Sequence, residues 1–319
     1  MPLKFQYPKR IEKIILKLKI IWGKITSISS RLILPGFEGM SLYDVSSFFF
    51  KGIRKSSIII RANSLSYIFL MSIFPAILFF FTLIAYIPID NLHTTIMETL
   101  KQAFPENAYL TVKNTIEDIL KHQNSGLLSI GFLLTMYFAN NGMIGLIKAF
   151  NQTSHTIESR SSFKLHLTSI LLIFIVTTII ILSISLLIFT SFAIKYFVSE
   201  GILTNDLTIY LYSAGKWIII FVMVLSMISF IYYLAPAKER YFKFISAGST
   251  LATILSLLFI FGFKYYIDHF SRYNKLYGSI GTLIVLMLWI NLNALVLLIG
   301  YELNASIHDA KIQKKTGKE

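Results

Sequence analysis

Long uncharged stretches of apolar residues dominate the chain, and short clusters of charge separate them. A membrane-spanning helix needs about 20 predominantly apolar residues, because the hydrocarbon core is about 30 Å thick and each residue rises about 1.5 Å. Six stretches meet this requirement and predict an all-α, polytopic membrane protein, a bundle of six transmembrane helices. The predicted spans cover about 63–87, 126–147, 167–193, 217–236, 244–263 and 277–300.

Composition supports the bilayer as the solvent of this chain. Of its 319 residues, 55% are hydrophobic and only 14% are charged, whereas an average soluble domain carries about 25% charged residues. Cysteine is absent, which excludes disulfide bonds, thiolate nucleophiles and cysteine-ligated metal centres. No cleavable signal peptide is expected, since Lys and Arg interrupt the first twenty residues.

The distribution of positive charge predicts the orientation of the spans. Lys and Arg are retained in cytoplasmic loops, and twenty-two of the thirty fall on the side that holds both termini, against eight on the other side. Both ends of the chain are therefore expected in the cytoplasm. The loop at 90–122 on the opposite side is acidic instead, and a short helical cap or a solvated connector fits it equally.

Residues 1–35 are predicted to form a basic cytoplasmic arm before a membrane domain at 36–308 and a cytoplasmic tail at 309–319. Apolar residues at helical spacing alternate with lysines over 4–25, which favours an amphipathic helix on the anionic headgroups of the inner leaflet. A disordered tail or a partner-binding helix is the alternative. Twelve of the thirty Lys and Arg residues fall within residues 1–61, beside the membrane, so nucleic acid is not expected as a partner despite the net charge of +14.

Ionisable residues inside spans usually mark ion or proton paths, and the predicted span interiors contain none; Glu302 lies at the end of the last span. The six histidines are scattered, with no pair at ligand spacing, so neither a metal site nor a cofactor is expected. No nucleophile and base occur together. The sequence therefore predicts a protein that is not an enzyme.

Uncharged polar residues within the apolar spans are the candidate functional residues. Asparagine amides in hydrocarbon need partners, so they are expected to face the bundle interior, where they either form structural hydrogen bonds or line a substrate path. The candidate polar lining comprises Tyr67, Asn140, Asn141, Asn151, Tyr277, Asn291 and Asn293. Pro75 removes a backbone hydrogen bond within the first span and is expected to kink it.

Four stretches of the chain resemble the YihY/BrkB family of bacterial inner-membrane proteins. They are RANSLSYIFLMSIFPAILFF (61–80), FANNGMIGLIKAFN (138–151), YYLAPAKERYFKFISAGSTLAT (232–253) and YNKLYGSIGTLIVLMLWINLNALVLLIGYELNA (273–305). The resemblance covers about residues 40–308 and implies a multi-pass inner-membrane protein with both termini inside. It brings no catalytic residues, since the family's older name, ribonuclease BN, is regarded as a misassignment.

Two hypotheses for function follow. The first is a transporter or a translocator of lipids or other envelope molecules, with a lipid or small amphiphile as substrate. The second is a membrane scaffold or assembly factor that recruits partners or anionic lipid through the basic arm. Substrate, direction, energy coupling and oligomeric state stay open at this point.

Overall fold

The computed structural model describes residues 26–55, 57–84, 125–153, 160–200, 205–237, 243–269 and 279–316, together with positions 97 and 113. Over these residues the regular structure is entirely helical. Most of the predicted basic arm, the acidic loop at 90–122, the turn between the fourth and fifth predicted spans, and Tyr277 lie outside the described residues. The main helices are α1 (Leu42–Lys55), α2 (Ile58–Ile84), α3 (Ser125–Thr153), α4 (Ser162–Ser199), α5 (Asn205–Leu234), α6 (Ala247–His269) and α7 (Ser279–Thr316).

Five of these helices contain stretches long and apolar enough to cross a membrane. The stretches are Ile58–Phe79, Ser125–Gln152, Ser162–Ser199, Ala214–Leu234 and Leu283–Lys315. Helix α6 has a shorter apolar segment, Ala247–Phe263. The described helices extend beyond the predicted spans, and α7 in particular continues to Thr316. At 38 residues it is about 57 Å long, so its last turns project past a hydrocarbon core of about 30 Å.

Helices α2 to α7 pack as a bundle in which consecutive helices run in opposite directions. The start of α2 meets the end of α3, where Arg61 donates to the carbonyl of Ala149, and Arg160, just before α4, donates to the carbonyl of Ala235 after α5. At the same end, the amide of Gly248 in α6 donates to Asn304 of α7. We call this end of the bundle, where α2, α4 and α6 begin, the basic end.

Local capping explains where two of the helices start. The hydroxyl of Ser41 accepts from the backbone amide of Asp44 and donates to its carboxylate, which satisfies an amide that lacks an intrahelical partner in α1. Ser246 and Ser249 exchange side-chain and backbone hydrogen bonds at the start of α6. This reciprocal arrangement is a capping box.

Helices α6 and α7 approach each other closely at Gly248. A Cβ atom added at Gly248 would lie 2.1 Å from the carbonyl oxygen of Gly300, and one added at Gly300 would lie 2.6 Å from that of Gly248. Only hydrogen atoms fit between these backbones. Small residues at such crossings let two helices gain dispersion contacts along their length.

An aromatic cluster fills the core beside this crossing. The rings of Phe150 and Tyr301 stack with centroids 4.3 Å apart, and Tyr232 meets Phe150 edge to face. The buried hydroxyl of Tyr232 donates to the carbonyl of Leu297 at 2.6 Å. This cluster joins α3, α5 and α7 near the basic end.

A second, smaller core lies where α1 packs on the projecting part of α7. It contains Phe37, Met40, Val45, Leu303, Ile307 and Ala310. The preceding loop turns through positive φ at Gly36, Glu38 and Gly39, and Glu38 forms an ion pair with Lys311. The part of α7 from Leu303 to Ala310 is therefore covered by protein.

Candidate functional site

Arg61 in α2 and Glu302 in α7 form a buried ion pair at the basic end. Their charged groups lie 3.8 Å apart, with the side chains 7% and 4% exposed. The predicted spans began after Arg61 and stopped before Glu302. The structure instead places both residues inside helices whose apolar stretches are long enough to cross the membrane.

The surroundings of this pair hold it in place. Nη1 of Arg61 donates to the carbonyl oxygen of Ala149 at 2.6 Å, so one guanidinium links α2, α3 and α7. Helix α1 closes over the carboxylate at Gly52, where an added Cβ would lie 1.9 Å from Oε1 of Glu302. Removing one partner from such a buried pair leaves an uncompensated charge, which costs far more than a surface pair.

A cleft of about 500 Å³ opens between α2 and α3 beside Arg61. Its polar lining comes from Arg61, Ser64, Asn141, Lys148 and Gln152, and its apolar lining includes Ile60, Leu65, Ile68 and Ile144. Lys148 is exposed, whereas Arg61 is buried. The cleft therefore combines one fixed and one exposed cation with hydroxyl, amide and aliphatic surface.

The lining changes from charged to apolar with depth along α2. Ile68 lies seven residues beyond Arg61, which corresponds to about 10 Å along the helix axis. The first turns of α2 and the last turns of the apolar part of α7 meet at the Arg61–Glu302 pair, which places the charged part near the boundary of the hydrocarbon. A molecule with a polar head and an apolar tail matches this order.

Glycine shapes the wall of the cleft on α3. A Cβ atom at Gly145 would lie 3.2 Å from Cδ1 of Ile68, and one at Gly142 would lie 3.1 Å from the ring of Phe69. These positions let α2 approach α3 closely along the wall of the cleft.

Of the predicted lining residues on α3, Asn141 lines the cleft. Its neighbour Asn140 contacts Nδ1 of His166 in α4 through its side-chain nitrogen at 2.8 Å, and its Oδ1 atom is buried without a hydrogen-bond partner among the described residues. Asn151 is buried and accepts from the backbone amide of Ala237 at 3.1 Å. The structure thus separates these three asparagines into three environments.

The other predicted residues are dispersed. Asn291 of α7 donates to Oδ1 of Asn63 at 2.8 Å and to the hydroxyl of Ser66 at 3.0 Å, which ties α7 to α2. Asn293 donates to the carbonyl of Trp289 within its own helix, and Tyr67 points outward with 58% of its surface exposed. Helix α2 continues through Pro75; the kink there stays a prediction.

Sequence reasoning missed several residues that organise this region. Arg61 entered only the count of positive charges on one side of the membrane, Glu302 was placed at the end of the last span, and Lys148 was not among the candidate lining residues. Asn304, which joins the start of α6 through Gly248 and Ser246, was not singled out. One signal was available: Glu302 and Asn304 follow directly on an apolar stretch, where charge and amide groups need partners.

Among the residues that the structure describes, no group of three or more His, Asp or Glu side chains is placed to hold a metal ion. The arrangement at the basic end instead offers positive charge and hydrogen-bond donors beside apolar walls.

Apolar crossing helices and a polar cleft at one end of their bundle define the class of this chain, a multi-pass helical membrane protein. The family model "Virulence factor BrkB" matches residues 49–319, so the chain belongs to the virulence factor BrkB family. This confirms the resemblance noted in the sequence.

Sequence similarity to individual proteins agrees with this family membership. A Bacillus subtilis protein named as ribonuclease-like, YfkH, is 31% identical over 79% of this chain and 90% of its own length. A UPF0761 membrane protein of Haemophilus influenzae is 24% identical over 85% of this chain and 97% of its own. Another, from Aggregatibacter aphrophilus, is 24% identical over 83% and 92%. No solved structure matches the chain.

Proposed function

We propose that this protein is a transporter that translocates an amphiphile, a lipid or another envelope molecule, across the inner membrane. The observation that carries the proposal is the cleft between α2 and α3. It is open, its volume is about 500 Å³, and its lining passes from Arg61 and Lys148 to aliphatic residues. A polar head can move along such a surface while its tail stays in lipid.

The exposed surfaces beside the cleft support this interpretation. Ile60, at its rim, is 70% exposed, and Tyr67 on the same helix is 58% exposed. In a membrane, exposed apolar side chains of this kind contact acyl chains. An amphiphile could therefore reach the cleft from the bilayer without leaving it.

We also propose that α6 is the sixth crossing and that the basic end faces the cytoplasm. Helix α6 runs beside α7 from the Gly248–Gly300 contact to a ring contact between Phe263 and Trp289, and its 23 residues correspond to about 35 Å. The described part of the basic end carries Arg54, Arg61, Lys148, Arg160, Lys164, Lys311, Lys314 and Lys315. These lysines and arginines support an orientation in which the basic end faces the cytoplasm, because positive charge is retained on that side.

The proposal is tested with the purified full chain in vesicles that contain a trace of fluorescent phospholipid. An impermeant reductant added outside bleaches only the outer leaflet unless the protein moves lipid between leaflets. We expect bleaching beyond the outer-leaflet share with the wild-type protein and slower bleaching with Ser64→Leu or Asn141→Leu, since leucine fills the cleft. Ser183→Leu is the matched control, because the hydroxyl of Ser183 donates to the carbonyl of Ile179 within α4 and does not line the cleft.

Bleaching that stops at the outer-leaflet share in vesicles with folded wild-type protein would contradict translocation of lipid. The scaffold role through the basic arm would then be the better hypothesis.

A further inference from the structure

The charged residues that line the cleft between α2 and α3 are cations. Its lining contains the cations Arg61 and Lys148, and no carboxylate is among its lining residues within the described part of the chain. Glu302 contacts Arg61 but does not line the opening. A ligand head in the cleft therefore meets net positive charge.

The two cations differ in their freedom to move. Arg61 is held by its bond to Ala149 and by Glu302, so its charge is fixed in position before a ligand arrives. Lys148 is exposed on α3 and carries a flexible stem with three donors. A fixed charge with an adjustable donor suits a tetrahedral anion, whose oxygens accept from several directions.

The remaining polar groups suit the hydroxyls that accompany a phosphate in many lipid headgroups. Ser64, Asn141 and Gln152 line the same opening, and amides and hydroxyls can both donate and accept. Ile68 and Ile144 continue the walls as apolar surface. The opening thus combines cations and hydrogen-bonding groups with aliphatic walls.

We infer that the cleft is a binding site for the phosphate of an anionic phospholipid headgroup and that Lys148 makes it prefer anionic over zwitterionic lipids. This inference rests on the proposed function, since it names the class of amphiphile that the same cleft takes.

Lipid binding to the detergent-solubilised full chain, followed by native mass spectrometry, tests the inference. The probes are phosphatidylglycerol and phosphatidylcholine with identical acyl chains. We expect phosphatidylglycerol to bind more tightly to the wild type and Lys148→Gln to weaken it about fivefold, the effect typical of one basic residue at an anionic lipid surface. Phosphatidylcholine binding should not change.

Lys164→Gln is the matched control. Lys164 is exposed in the first turn of α4, lies at the same basic end and does not line the cleft, so its loss of charge should leave both lipids bound as in the wild type. Equal loss in the two variants would show general attraction to the basic end and would overturn the site. Equal affinity of the wild type for both lipids would also overturn it.

Excess inorganic phosphate distinguishes the lipid from a soluble anion. Phosphatidylglycerol that stays bound shows that the apolar walls contribute, whereas complete displacement would assign the cleft to free phosphate and contradict a lipid ligand. The results distinguish failure of this inference from failure of the proposed function. Selective binding without transfer between leaflets overturns translocation alone, and transfer without headgroup selectivity overturns only the inference.

Discussion

The guanidinium of Arg61 lies 3.8 Å from the carboxylate of Glu302, although 240 residues lie between them in the chain, and both side chains are buried. The contact joins the start of α2 to the end of the apolar part of α7, and Gly52 of α1 fits against the same carboxylate. Because Arg61 also donates to the carbonyl of Ala149 in α3, four helices meet at one pair of opposite charges. The cleft opens directly beside it.

Removing one member of this pair is expected to destabilise the fold. Arg61→Met or Glu302→Met should each cost about 3 to 5 kcal/mol, because the remaining buried charge has lost its partner. The double variant should recover part of the loss. Thermal unfolding of the purified protein in detergent measures these changes.

Lys311 provides the control for that comparison, since it pairs with Glu38 but is 40% exposed. Lys311→Met should cost less than about 1 kcal/mol, as exposed pairs usually do. A similar unfolding temperature for Arg61→Met and Lys311→Met would show that the buried pair contributes no more to stability than the exposed pair.

Gly248 is expected to tolerate no side chain. Gly248→Ala should destabilise the protein by about 1 to 3 kcal/mol or more, because its Cβ would overlap the carbonyl of Gly300 and force α6 away from α7. Gly262→Ala on the same helix is the control, as nothing lies within 4 Å of its added Cβ. Unfolding measurements on both variants test the crossing, and equal stability would argue against it.

The two asparagines of α7 should differ in their contribution to stability. Asn291→Ala removes hydrogen bonds to Asn63 and Ser66 of α2 and should cost about 1 kcal/mol, near the values measured between membrane helices. Asn293→Ala removes a bond within α7 and should cost less. The reverse ranking in unfolding experiments would contradict this assignment of interhelical and intrahelical roles.

Five of the six predicted spans coincide with helices that are long and apolar enough to cross a membrane, because about 20 apolar residues suffice to identify such a helix. Their ends could not be located in the same way. Helices continue past the hydrocarbon where other segments cover them, as α7 does beneath α1 and the loop around Phe37. Hydropathy falls at Glu302, but the helix does not end there.

The site was less accessible to sequence reasoning. The polarity of Asn141 and Asn291 within apolar stretches indicated that they need partners, and the structure shows which elements they face. The same rule applied to Arg61 would have required knowing that α2 begins before it. Its pairing with Glu302 depends on how α2 and α7 pack, and no local pattern encodes that packing.

The orientation of the bundle can be measured because the chain contains no cysteine. Single substitutions Lys315→Cys near the end of α7 and Lys216→Cys, near the end of the apolar stretch of α5 that lies away from the basic end, place thiols at exposed positions. An impermeant maleimide applied to spheroplasts should label Lys216→Cys and leave Lys315→Cys unreacted until the membrane is opened. The opposite labelling pattern would invert the proposed topology.

Helix α4 supplies an internal reference for lipid contact. Within an 18-residue apolar segment of α4 only 6% of the residues are buried, against 28% in the corresponding segments of α2 and α3. Lipid that touches the protein without specificity should therefore collect on α4. A bound lipid should collect at the cleft.

Photo-crosslinking with an anionic phospholipid that carries its reactive group near the head uses this reference most directly. We expect adducts concentrated at residues 60–68 and 141–152 when the protein is illuminated in vesicles and mapped by mass spectrometry. Those adducts should fall with Lys148→Gln and persist with Lys164→Gln. Adducts spread over α4 in proportion to its exposure, with none enriched at the cleft, would contradict binding of the lipid between α2 and α3.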